Sequence, residues 1–96
     1  MSSEARRAKE DVTGESMRYV YLLESQSYPG KRYVGSTDNL QRRLAEHNAG
    51  KAKHTQKSLP WRCVVALKFE DDARAEAFEK YLKSGSGHAF ARRHLW

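Results

Sequence analysis

The 96-residue chain has one cysteine, Cys63, two prolines and no apolar run long enough to span a bilayer. A single thiol can neither close an intrachain disulfide nor build a zinc knuckle, so a disulfide scaffold and structural zinc are both unexpected. The missing apolar run, in a composition 39% hydrophobic and 31% charged, speaks against a helical membrane protein. The N-terminus carries charges of both signs and lacks the apolar core and small-residue cleavage site of a secretory signal, which predicts a cytoplasmic protein. No repeat or low-complexity segment is present.

Acidic residues are also scarce, but only in one part of the chain. Residues 1–30 and 63–96 nearly balance their charges. Residues 31–62 hold Lys31, Arg32, Arg42, Arg43, Lys51, Lys53, Lys57 and Arg62 against only Asp38 and Glu46, so this third carries the whole net charge of +6. A polyanion-facing surface is expected there.

The order of elements follows from local pattern. Residues 1–16 are polar, with Val12 their one large aliphatic residue, and are expected to be a mobile tail, either a native extension or a vector remnant. One domain is expected over 17–96. Arg18 to Leu23 is rich in β-formers and predicts a strand, Tyr28-Pro29-Gly30-Lys31 suits a type II turn, and Arg32 to Gly35 should pair back as a hairpin. Ser36, Thr37 and Asp38 are N-cap candidates for a helix from about Asn39 to Asn48, which Gly50 can end in a left-handed conformation. A basic loop, Lys51 to Ser58, leads past Pro60 to a third strand, Trp61 to Phe69. Asp71 or Asp72 should cap a helix to about Lys83, and Gly85-Ser86-Gly87 should link it to a short basic terminal helix. The expected class is α/β of the α+β kind, a small three-stranded, mainly antiparallel sheet flanked by helices, in the order β-β-α-β-α-α.

Helical periodicity narrows the functional candidates. At about 100° per residue, Leu40 and Leu44 define the buried stripe of the first helix, Arg43 and His47 fall one turn apart beside it, and Arg42 points away. On the second helix the wheel centres the apolar stripe on Ala77, Phe78, Tyr81 and Leu82, with Glu79 at its margin and Glu76 outside. Glu79 is thus the better carboxylate for a divalent cation, which needs a ligand both fixed and reachable. On the strands Tyr19 and Tyr21 share a face, and Tyr33 shares one with Gly35, where the missing side chain leaves room close to the sheet. Lys51, Lys53, His54, Thr55 and Lys57 form a loop suited to gripping phosphates. Cys63 is expected as a small core residue, Trp61 and Trp96 as core packing, and His88 and His94 as surface or packing residues.

The ordered set resembles a known family. Tyr19-Val20-Tyr21 and Tyr33-Val34-Gly35 are similar to the paired tripeptides that name the GIY-YIG nucleases, with Tyr19 standing where that motif has glycine. Arg42-Arg43-Leu44 followed by Glu46-His47-Asn48, then Pro60-Trp61, then Ala77-Phe78-Glu79-Lys80 fall in the family's order, and residues 83–93 resemble the ending of its short stand-alone bacterial members. The resemblance implies a metal-dependent endonuclease that hydrolyses DNA phosphodiester bonds, in repair or recombination, with RNA as an alternative substrate. It implies Mg²⁺ held by Glu79, with Mn²⁺ as an alternative ion. Tyr21 or Tyr33 would be the base, Arg43 the charge-stabilising cation, His47 an assistant or second proton acceptor, and Arg42, Lys51, Lys53, His54 and Lys57 the backbone grip. A non-catalytic nucleic-acid-binding module and a repair adaptor are the alternatives, and a homodimer or a protein partner is compatible with either. The 96 residues hold no appended DNA-binding domain, so target selection is not implied.

Overall fold

The computed structural model describes residues 17–96, so the expectation of an N-terminal tail over 1–16 lies outside the described residues. Strand β1 (Arg18–Ser25) and strand β2 (Arg32–Thr37) form the expected hairpin. Its turn is closed by the Lys31 N–H donating to the Tyr28 carbonyl at 2.9 Å, with Gly30 at φ +94°, the left-handed value a type II turn requires at its third position. Helix α1 (Leu40–Asn48) follows, then strand β3 (Trp61–Phe69) and helices α2 (Asp72–Leu82) and α3 (Gly85–His94). The sheet is antiparallel throughout, ordered β2-β1-β3. No helix among the described residues is long and apolar enough to cross a membrane.

Because β1 is the central strand, both of its faces are covered and Val20 to Leu23 form an unbroken buried run. Alternation divides that run between two cores. Val20 and Leu22 pack with Val34, Val65, Phe78, Ala75, Leu82 and Ala91, beneath α2 and α3. Tyr21 and Leu23 pack with Trp61, Tyr33, Leu40, Leu44 and Leu59, beneath α1 and the loop that follows it. The pairing of β1 with β3 slips between Leu22 and Leu23, where Leu22 faces Val65 and Leu23 faces Cys63. Cys63 is exposed there, contrary to the expected core position, because β3 is an edge strand with one face only partly covered. Burial of its apolar surroundings still raises the Cys63 thiol above its ordinary pKa.

Two helix starts and one apolar stripe differ from the sequence reading. The α1 cap is Asn39, whose side chain accepts from the Arg42 N–H, while Thr37 turns back to bond Asn39. Gly85 to Gly87 are the first turn of α3 and not a linker, since the Ser84 hydroxyl accepts from the Gly87 N–H and caps them. Glycine at 87 is needed for packing: a Cβ there would run into the Tyr81 carbonyl of α2. On α2 the inward stripe is Ala75, Phe78, Glu79 and Leu82, while Ala77 and Tyr81 are exposed. The wheel was turned by Tyr81, whose ring lies outside, 6.2 Å from Phe78 and 6.0 Å from Phe90. The correction moves Glu79 from the margin of the stripe into it.

Candidate active site

Four side chains converge on the α1 face of the sheet. Tyr21 and Gly35 are direct partners across β1 and β2, and a Cβ at Gly35 would stand 2.5 Å from the Tyr21 hydroxyl oxygen and 2.8 Å from the Tyr33 ring. Only glycine lets the Tyr21 phenol lie flat across β2. Tyr21, Tyr33 and His47 then form a ring cluster, with centroids 6.3 Å apart for the two tyrosines, 5.7 Å for Tyr21 and His47, and 5.0 Å for Tyr33 and His47. Tyr21 and His47 are fully buried, while Tyr33 is partly exposed and so forms the cluster's outer wall.

The hydrogen bonds through this cluster run in one direction. The Tyr21 hydroxyl lies 2.9 Å from His47 Nε2, and His47 Nδ1 lies 2.7 Å from Thr55 Oγ1. The Thr55 hydroxyl donates to the Ala52 carbonyl at 3.4 Å and so accepts from the His47 Nδ1–H. A neutral imidazole protonated at Nδ1 leaves Nε2 as an acceptor, and the Tyr21 hydroxyl donates to it. The Arg43 guanidinium, which has donors only, pulls the Tyr21 phenol toward its charged form. Thr55 is itself fully buried, so its placement among the phosphate-gripping residues of the loop is corrected: it is a structural partner of His47. Nothing local in Lys53-His54-Thr55-Gln56-Lys57 says which buried donor the threonine meets.

Electrostatics sets the resting protonation. Burial pushes the Tyr21 phenol up to about 12, against the opposing pull of Arg43. Burial first, and the Arg43 charge second, hold the His47 imidazole below its ordinary value. Arg43 is held charged by its bond from Nη1 to Glu46 Oε1 at 2.8 Å and then by Tyr21, and the same bond lowers the Glu46 carboxyl. At neutral pH the cluster is a protonated phenol donating to a neutral imidazole beside a fixed cation. Arg42, 60% exposed and paired with Asp38 at 3.4 Å and Glu46 at 3.8 Å, stands outside it as expected.

Glu79 stands on α2, and its charge acts on Tyr21. Its side chain is 23% exposed, and one oxygen accepts from Lys83 Nζ at 3.0 Å, which leaves the other without a partner among the described residues. No group of three or more histidine, cysteine or acidic side chains that could hold a metal gathers among the described residues. One fixed, half-accessible carboxylate does fit Mg²⁺, which keeps several waters and takes one or two carboxylates together with substrate phosphate, and it does not fit zinc.

The basic loop is tied to the same place. Ala52, Thr55 and Ser58 are buried, and the Trp61 indole N–H donates to the Thr55 carbonyl at 2.8 Å. Asn48 bonds both backbone groups of Trp61, at 3.0 and 2.7 Å, and so clamps the end of α1 to the start of β3. Lys51, Lys53, His54 and Lys57 remain exposed on this anchored segment. His88 and His94 lie on exposed α3 positions, away from the cluster.

The chain is similar to known proteins. The chain is 41% identical over 66 residues to a UPF0213 protein of Streptococcus pneumoniae serotype 4, covering 68% of this chain and 65% of that protein. It is 39% identical over 83 residues to the structure-specific endonuclease subunit SLX1 of Candida dubliniensis, covering 79% of this chain but 28% of the relative. The chain therefore spans just under two thirds of the first relative and about a quarter of the second. Among solved structures, the solution structure of a UPF0213 protein of Bacillus halodurans matches with TM-score 0.50 and 31% identity, over 80% of this chain and 83% of that one. The sequence profile of the GIY-YIG catalytic domain matches residues 17–91, from the start of β1 into α3, and the chain belongs to that family.

Proposed function

We propose that the protein is a metal-dependent endonuclease that hydrolyses DNA phosphodiester bonds at the Tyr21, His47, Arg43 and Glu79 cluster. The observation that carries this reading is the 2.9 Å contact between the Tyr21 hydroxyl and His47 Nε2, with the Arg43 charge acting on the same phenol. A phenol this basic is a poor base while it keeps its proton, but His47 Nε2 is placed to take that proton. Arg43 is placed to stabilise the phenolate left behind. The phenolate then accepts a proton from the attacking water. Tyr33, the partly exposed tyrosine of the cluster, positions the water or the phosphate. Glu79 would hold Mg²⁺, with Mn²⁺ as an alternative, and the ion supplies Lewis-acid polarisation of the phosphoryl oxygen. Lys51, Lys53, His54 and Lys57, with Arg42, grip the backbone and select no sequence.

Membership of a nuclease family and likeness to a structure-specific endonuclease subunit support DNA as substrate. The decisive assay is nicking of supercoiled plasmid at low salt with Mg²⁺, Mn²⁺ or chelator, comparing wild type with Arg43→Ala and Glu79→Ala. Metal-dependent nicking lost in both variants is the expected result. Tight, salt-sensitive binding with no cleavage by any of the three would overturn it in favour of a non-catalytic binding module.

A further inference from the structure

The face of the sheet opposite the tyrosines carries a second concave site. A cavity of about 340 Å³ lies between the hairpin turn, β2 and α3. Its floor includes Val34 and Leu82, Trp96 forms a wall, and Arg32, His88 and Arg92 stand around it. The Arg32 guanidinium lies over the Trp96 ring, 4.7 Å from its centroid. Among the described residues no acidic side chain lines the cavity. Glu24, at its margin, pairs with Arg32 at 3.5 Å and with Arg62 at 2.9 Å, so part of the Arg32 charge is already met. Arg92 has no ion-pair partner among the described residues. An apolar floor, a guanidinium stacked on an indole and uncommitted basic groups together match one nucleotide: a flat base to extend the stack and a phosphate to meet the cations.

The position matters as much as the lining. Arg32 and Tyr33 are neighbours on β2, and alternation sends one side chain to each face. Strand β2 is at the edge of the sheet, so no further strand separates its two faces there. A nucleic-acid strand leaving the tyrosine face can pass round this edge to the cavity. A blunt duplex is too stiff and wide to follow that turn.

We propose that this cavity is a second nucleic-acid site, which takes one nucleotide of an unpaired strand, with its phosphate at Arg92 and His88 and its base on the Arg32 and Trp96 stack. Only the continuity with the tyrosine face rests on the nuclease reading. Arg92 and His88 are exposed and bear no role at the tyrosine cluster, so their loss leaves the fold and that cluster in place.

The test is an amide chemical-shift titration of the full chain in chelator, so that nothing is cut, with a short unpaired oligodeoxynucleotide, a blunt duplex and inorganic phosphate as separate probes. Wild type is compared with the double variant Arg92→Gln, His88→Gln. The oligonucleotide should shift Gly30, Arg32, His88, Arg92 and the Trp96 indole N–H. The variant should bind it about tenfold more weakly, with duplex affinity changed about twofold at most. Shifts confined to the Tyr33 and His47 face, an equal loss for duplex and oligonucleotide, or the same shifts from phosphate alone would each overturn the proposal. Because no cleavage is read, an inactive protein that still shows the pattern would sink the nuclease reading and leave this site standing.

Discussion

The Tyr21 hydroxyl donates to Nε2 of His47 across 2.9 Å, and the two residues are buried together beneath α1. Neither could be replaced by a solvated residue without leaving the other unpaired inside the protein, which makes this contact both a stability and a chemistry statement.

The first expectation concerns pH. His47 has a folded pKa below its ordinary 6.5, so the unfolded chain binds the extra proton first as pH falls. Its contribution to stability is complete above 6.5 and is lost as pH drops through the lower folded value. Tyr21 runs the other way: its folded pKa of about 12 exceeds the ordinary 10.0, so its contribution is complete below 10 and is lost between 10 and about 12. Thermal unfolding followed across pH should show a plateau between these limits. Imidazole proton shifts should place the His47 titration below 6.5.

Thr55 should act through His47. Removing the acceptor in Thr55→Val leaves the Nδ1–H without a partner, which should cost about 1–3 kcal/mol. It should also lower turnover about tenfold or more by freeing the tautomer, with the pH profile displaced. Thr55→Ser keeps the acceptor and should restore most of both. Urea unfolding and single-turnover cleavage of the two variants are the measurements.

The two adjacent arginines should separate cleanly. Arg42→Ala removes an exposed side chain with exposed partners and should leave turnover nearly unchanged while weakening binding at low salt. Arg43→Ala removes the cation at the Tyr21 oxygen and should reduce turnover by about 10²–10³-fold. Equal effects from both would remove the special role given to Arg43.

Two glycines serve different purposes, and alanine at each should tell them apart. Gly35→Ala pushes on the Tyr21 and Tyr33 rings and should abolish cleavage with a loss of stability on the order of 1–3 kcal/mol. Gly87→Ala meets the backbone carbonyl of Tyr81, which cannot rotate aside, so it should displace α3 and destabilise at least as much. The Tyr21 cluster lies on the other side of the sheet and should keep its geometry in the surviving folded molecules. Calorimetry with parallel plasmid assays distinguishes the two.

These contrasts also show where sequence reasoning held. The hairpin, the third strand and a cap at Asp71 or Asp72, which Asp71 supplies, followed from residues whose local chemistry leaves little choice, such as Pro29-Gly30 in the turn. Arg43 and His47 were legible because a helix repeats every 3.6 residues and Leu40 and Leu44 mark its inner face. The α2 stripe was misjudged because aromatic residues weigh heavily on a helical wheel, and Tyr81 earns its contacts from Phe78 and Phe90 on the outside. Gly85 to Gly87 looked like a linker because glycine lowers helix propensity, and only the contact with Tyr81 explains why glycine stands at 87. Thr55 was out of reach for a different reason: its partner lies on α1, eight residues back, across a turn whose path no local pattern specifies.

The most direct test of the central claim is cleavage of supercoiled plasmid by Tyr21→Phe. Phenylalanine keeps the ring over Gly35 and removes only the hydroxyl that bonds His47. With folding checked by circular dichroism, turnover should fall by about 10²-fold or more while DNA affinity stays close to wild type. Unchanged turnover in the folded variant would contradict the account.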